Sequence, residues 1–578
     1  MGGMNSDTNR PGARHGRRFV AALALGLLAC SGMPVTLGLA SGANVGRDVD
    51  ARVAASTAEI AVVITLNAQV ARDGARRRPA DLIRSLRSTA ERSQVSVRAE
   101  LRGPSHSFWL VNAISTSINV GELEALRNDP AVASISLDPQ VTVAGAPTGT
   151  GPASWGIGAV HAPDVWSRYG LTGTGMRVGS IDTGVDPTNP ELAGAIVGWK
   201  DFVGGRATPY DDNGHGTHTI GTMVARNVTG APIGVAPGAT VIVAKAMGAN
   251  GSATGSTLLA AAQWMTDPDG NPATADFPTV INNSWTAAGA NNEWFRPMVQ
   301  AWVAMGIAPV FAAGNTPCSI GNPASYPESI AVGQLVQAGT IAPNSSSGLV
   351  SWTAPEGTTS QVSKPDLTAP GDSISSTVGS GYGVYSGSSM ASPHVAAAVA
   401  LIRQARPDLT VDGVREILRA SANDRGAPGP DLDYGAGALD IAAAIAATGA
   451  PVVGPPAPAP VAQNVVARVA PKPKATRIRG LHVVRRAGNL IIQGRTTGPW
   501  RLRLVIRPRG KDQQALQPNA TGQRALVTAN RATRAHGGKF RFKVSVRGMQ
   551  RRTYLLTVTA SNASGKQLGS TSVAVRLR

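Results

Sequence analysis

Residues 381–402 read "GYGVYSGSSMASPHVAAAVALI". Two serines, Ser388 and Ser389, stand at the head of an Ala/Val run, Ala391 to Ile402, with the composition of a buried helix. A serine at a helix N-terminus is ordinarily a cap. The same position offers free backbone N–H groups and the positive end of the helix dipole, which favour an oxyanion. Whether one serine is a cap or a nucleophile depends on what else the chain supplies.

Two other stretches bear on it. "VGSIDTGVD" (178–186) reads as an apolar strand ending in Asp182; alone, an aspartate there is a turn residue or cap. "DDNGHGTHTIGTMV" (211–224) sets His215 among glycines before an apolar helix. His215 and His218 could pair on a metal, but "HGTH" lacks the glutamate of a zinc-protease helix. Around these stretches, residues 148–450 alternate apolar strands with helical runs: "TVIVAKAM", "STLLAAAQWM", "TVINNSW", "MVQAWVAMG", "APVFAAGN". That alternation predicts an α/β fold with a largely parallel sheet and its chemistry at the carboxyl ends of the strands.

Asp182, His215 and Ser389 follow the order Asp…His…Ser. "IDTGVD", "NGHGTH" and "GSSMASPHV" resemble the three signatures of the subtilases, the subtilisin-like serine proteases, and "VINNSW" with "GNPASYPES" resembles the bacillopeptidase F branch. The resemblance implies a subtilisin-like parallel-sheet catalytic domain. It makes Ser389, before Met390, the nucleophile, His215 the base, Asp182 its orienting carboxylate and Asn315 of "VFAAGNTP" the oxyanion donor. It also implies substrate pairing through Gly251, Ser252 and Ala253 on one side and Ser284, Trp285 and Thr286 on the other. Gly321 falls at the floor of the pocket before the scissile bond and suggests a roomy, apolar one. Catalysis needs no cofactor. Structural calcium is common in the family and Glu191 matches one carboxylate ligand, although Val228 stands where an amide side chain is expected. Cys318, three residues past Asn315, reads as a small buried residue.

The remaining segments are read from charge and pattern. Net charge is +19, but residues 148–450 are acidic and residues 451–578 hold 25 Lys and Arg against one Asp. The start, with an arginine-rich head and an apolar run from Phe19 to Ala29, has the form of a secretory signal over residues 1–43. "LLAC" ending at Cys30 leaves a lipid anchor open, and "RRF" is a poor twin-arginine signal. With two cysteines no disulfide framework arises. Residues 44–147 predict a β-α-β-β-α-β, ferredoxin-like α+β unit: "AEIAVVITL" as a strand, Ala80 to Gln94 as a helix, "SFWLVNAIS" as one strand, "VGELEALRNDP" as a short helix, then "VASISLD" and "VTVA" as closing strands. By the resemblance this unit is an inhibitory propeptide, with self-cleavage between Val143 and Gly151. Residues 451–475 form a proline-rich linker. Residues 476–578 predict an all-β sandwich whose charge favours anionic cell-envelope polymers. Nucleic acid is disfavoured, since aromatics for stacking are few.

The implied activity is a secreted or envelope-associated serine endopeptidase acting on proteins or peptides. Two alternatives stay open: an envelope-binding protein whose central domain is a silent scaffold, and an esterase, disfavoured by the strand-like binding segments and the lack of a G-x-S-x-G elbow.

Overall fold

The computed structural model describes residues 44–453, apart from short gaps at 56–57, 73–77, 150–154, 229, 231 and 354–356, together with the backbone of strands between 478 and 576. The predicted signal with Cys30, and most of the linker, lie outside the described residues. The chain divides into two compact units, up to Ala459 and from Pro460 onward.

In the first unit a seven-stranded sheet runs in the order Leu367–Pro370, Ile330–Leu335, Ala308–Ala312, Val280–Asn283, Arg177–Asp182, Thr240–Lys245 and Ile196–Asp201. Every neighbouring pair is parallel. The central strands are buried on both faces, which is why they read as continuous apolar runs and not as alternation. Helices His215–Val224, Ser388–Ala405, Val411–Ala420 and Ile441–Ala447 contribute to the core on one face, and Gly255–Thr266 and Arg296–Ala304 to the core on the other. The helix Ser388–Ala405 is buried from Ser388 to Arg403, so the Ala/Val run is a central core element.

Residues 44–137 form a five-stranded sheet in the order Asn44–Val45, Val132–Leu137, Ile60–Leu66, Ala113–Ile118, Ser105–Phe108, with helices Pro79–Glu100 and Val120–Asn128. Val62, Ile64, Val97, Ile114, Leu123 and Ile135 pack as its own core. Two expectations change here. "SFWLVNAIS" is two antiparallel strands, with Asn112 at φ 47° in the connection; Asn tolerates that left-handed conformation and turns the chain. "VTVA" does not close this sheet, because strand Gln140–Val143 leaves it and pairs elsewhere.

The second unit is antiparallel throughout the described strands. One sheet holds Ile478–Arg486, Asn489–Thr496 and Lys539–Ser545; the other holds Ala529–Thr533, Trp500–Pro508, Thr553–Ser561 and Gln567–Arg576. Among the described residues there is no helix long and apolar enough to cross a membrane.

Candidate active site

Asp182 is the last residue of its strand and His215 opens its helix. Both are buried, with His215 Nδ1 2.7 Å from Asp182 Oδ1. The Asp182 carboxylate also accepts from the Thr183 N–H at 2.7 Å and the Thr219 hydroxyl at 3.2 Å. The carboxylate at Nδ1 leaves Nε2 as the ring nitrogen that can act as a base. Nε2 has no hydrogen-bond partner.

Surrounding groups hold this pair. Lys245, fully buried at the end of the next strand, donates to Thr183 O at 2.6 Å, Met247 O at 2.9 Å and the Asp212 carboxylate at 2.6 Å. Burial pushes the Asp211 carboxyl up, but the Thr217 hydroxyl and the N–H groups of Gly214, Thr217 and Asn213 outweigh it and leave its pKa lowered. Ionised Asp211 thereby pins the loop that delivers His215.

Ser389 lies in the first turn of the helix Ser388–Ala405, and its hydroxyl donates to Ser284 O at 2.8 Å. Asn315 lies just beyond strand Ala308–Ala312, its Oδ1 accepting from the Ser388 N–H at 2.9 Å. The Ser388 hydroxyl accepts from Gly314 N at 3.0 Å, so the serine at this place clamps the loop that carries Asn315.

A segment of the chain itself crosses these residues. Strand Gln140–Val143 lies antiparallel between Ser252–Thr254 and Trp285–Thr286. Val143 N donates to Gly251 O at 2.9 Å and Ala144 N to Ser284 O at 3.2 Å. The Ala144 carbonyl accepts from Asn315 Nδ2 at 2.6 Å and from the Ser389 N–H at 3.1 Å. Beyond it, Ala146–Gly149 pairs antiparallel with Gly381–Ser386. A Cβ on Gly145 would lie 3.1 Å from Ser389 Cβ, 3.2 Å from His215 Nε2 and 2.9 Å from Met390 Sδ. The Ala144–Gly145 peptide therefore lies against both the serine and the histidine. Gly387 is required here: a side chain on it would stand 2.4 Å from the Ala144 oxygen.

Of the residues expected at the cleft, Gly251, Ser252, Ala253, Ser284, Trp285 and Thr286 lie beside residues 140–144. Trp285 contributes its backbone only; its ring is buried against Phe295 and Phe311. Gly321 packs against Thr286, since a Cβ there would lie 2.8 Å from Thr286 Cβ. Cys318 is exposed, not buried. Sequence reasoning missed Lys245 and Asp211, whose only signal is a charged residue next to an apolar strand or a glycine loop. Glu191 is buried, and its oxygens accept from Val228 N at 3.0 Å and the Tyr382 hydroxyl at 2.9 Å. Among the described residues that carboxylate is a loop anchor, and a donor set spent on hydrogen bonds does not fit an ion needing six to eight oxygens.

Comparison with known proteins agrees with this geometry. Residues 173–437 match the family model described as "Subtilase family". Bacillopeptidase F of Bacillus subtilis (strain 168) is 35% identical over 417 residues, which is 63% of this chain but 28% of that protein. The alkaline protease of Alkalihalobacillus alcalophilus is 33% identical over 341 residues, 59% of this chain and 80% of that protein. Subtilisin E of Bacillus subtilis (strain 168) is 33% identical over 344 residues, 58% of this chain and 81% of that protein. A buried Asp–His pair beside a helix-borne serine, in a parallel sheet matched at this level, leads to one conclusion: the chain belongs to the subtilase family, the subtilisin-like serine endopeptidases.

Proposed function

We propose that this chain is the precursor of a secreted serine endopeptidase that cuts itself between Ala144 and Gly145. The observation that carries the reading is the Ala144 carbonyl, held at once by Asn315 Nδ2 and the Ser389 N–H. Those are the donors that a developing oxyanion needs. Rotation of the Ser389 hydroxyl away from Ser284 O brings it to the free His215 Nε2. His215 takes its proton as Ser389 Oγ adds to the Ala144 carbonyl, and Asp182 stabilises the imidazolium. The tetrahedral oxyanion rests on Asn315 and the Ser389 amide. His215 then protonates the Gly145 nitrogen, which leaves as a new N-terminus. Water, activated by the same histidine, releases Ala144 from the acyl-enzyme.

On this reading residues 1–43 are the signal and 44–144 an inhibitory propeptide with ferredoxin-like order. The peptidase body begins at Gly145, and the basic segment 476–578 is a sandwich that holds the enzyme to anionic envelope polymers. Substrates are proteins or peptides that add a strand to the cleft. Thr286 beside Gly321 favours a small residue before the cut bond, as Ala144 is.

Intact mass and N-terminal sequencing of the wild type beside Ser389→Ala tests the reading. The wild type should begin at Gly145 and the variant should retain the segment. If both stay whole, or both are cut at this bond, Ser389 is not the self-cleaving nucleophile.

A further inference from the structure

In the second unit the strand register sorts residues by face. Directly opposite residues of an antiparallel pair share a face, and faces alternate along each strand. Strand Asn489–Thr496 pairs with Ile478–Arg486 along one edge and with Lys539–Ser545 along the other. The row through Arg495 therefore holds Arg479, Arg495 and Lys539. On the same face follow a row of His482, Gln493 and Arg541, a row of Val484, Ile491 and Lys543, and a row of Arg486, Asn489 and Ser545. Six of these twelve positions are Lys or Arg, and none is acidic. The alternate rows hold Val483, Leu490, Ile492, Phe540, Phe542 and Val544, with Arg485 in an end row. The pattern is one apolar face and one basic face.

The basic face opposes its own folding. Like charges directly opposite one another destabilise a sheet, and Arg479, Arg495 and Lys539 stand three abreast. Solubility alone does not ask for that arrangement, as the four-stranded sheet illustrates. There Arg501, Arg503 and Arg507 alternate along Trp500–Pro508, and none of them stands opposite another Lys or Arg. A polyanion laid on the three-stranded sheet removes the repulsion. Lys539, Arg541 and Lys543 follow one another at steps of about 6.7 Å, and neighbouring strands lie about 4.8 Å apart. A linear polymer charged at every repeat meets a cation at each step. Four of the six cations are arginines, whose planar fork takes two phosphate oxygens at once. The twelve positions include no Phe, Tyr or Trp on which a base could stack. We propose that this face binds a base-free polymer of phosphodiester-linked repeats. The inference deepens the proposed attachment to anionic envelope polymers, on which it rests, and is independent of self-cleavage.

The probe is synthetic poly(glycerol phosphate), titrated into the full chain carrying Ser389→Ala. At about 0.1 M salt, Lys539→Gln, Arg541→Gln and Lys543→Gln together should weaken binding at least about tenfold and flatten the slope of log K against log salt by about two. Arg501→Gln, Arg503→Gln and Arg507→Gln together remove the same charge from the other sheet and should leave binding within about threefold. If the first set folds poorly, Arg479→Gln with Arg495→Gln, on the other two strands of the same face, takes its place and should weaken binding at least about fivefold. Equal losses from the two sheets mean that net charge alone binds, and overturn the face. Tighter binding of poly(dT), polyglutamate or phosphatidylglycerol vesicles than of poly(glycerol phosphate) overturns the polymer class. A wild-type face that binds none of the four ends the attachment reading itself, so the two failures are told apart.

Discussion

The two sides of the Ala144–Gly145 bond are held very differently. On the amino side, strand Gln140–Val143 is paired along both edges and Val141 is 1% exposed in the peptidase core. On the carboxyl side, Ala146–Gly149 pairs along one edge and all four residues are exposed. A cleft built this way keeps one product and lets the other go. On the proposed reading, the cut propeptide stays bound through its tail while the new N-terminus at Gly145 swings free, so cutting and activation are separate events.

The largest test acts on the bond itself. Asn315→Ala should slow appearance of the Gly145 terminus by about 10²–10³, the loss expected of one oxyanion donor; a rate within a few-fold of wild type would mean that the Ala144 carbonyl is held for storage and not for reaction. The second separates the two sides. Val141→Asp puts a charge into the buried strand, and should shorten the lag between cutting and peptidase activity at least about tenfold. Thr148→Asp on the exposed strand should leave the lag within about threefold. Equal effects would erase the asymmetry.

The smallest effect concerns the wall that receives Ala146–Gly149. His218 stacks on Tyr385 at 4.5 Å and bonds Ile374 O at 2.9 Å, and Tyr385 lies opposite Pro147. Burial pushes His218 down to about 3 and His394 down to about 4. Both are neutral when folded, whereas the unfolded chain takes up protons below about 6.5. Their stabilising contribution is therefore full above that pH and is lost as pH falls from there towards 4. Thermal unfolding of the Ser389→Ala chain should fall by roughly 5 °C or more across that window, with a shallower slope in His394→Gln. An unchanged slope would mean that His394 is not buried neutral.

Much of the geometry of the candidate site was legible because each signature is short and local. A strand ending in Asp182, glycines around His215 and a helix opening at Ser389 each declare their own backbone, and the parallel sheet brings those ends together. What was illegible depends on partners distant in sequence. The alternation in "VTVA" makes a strand but does not name the edge it joins, and it joins Ser252–Thr254 and Trp285–Thr286. Gly321 packs against Thr286, 35 positions earlier. The two strands within "SFWLVNAIS" lacked a glycine or proline between them, and Asn112 carries the turn instead.

The segment that fills the cleft also finishes a helix. Asp138 takes the Ser256 N–H at 2.8 Å and the Ser256 hydroxyl at 2.5 Å, and Pro139 O takes the Gly255 N–H at 2.8 Å. A carboxylate there complements the positive end of Gly255–Thr266. On the proposed self-cleavage, its departure leaves the Gly255 and Ser256 N–H groups to water beside strand Ser252–Thr254, which an incoming peptide would join. The empty cleft is then softer than the filled one along one wall, and binding carries an ordering cost. Long substrates that reach back to this turn recover that cost; short ones do not.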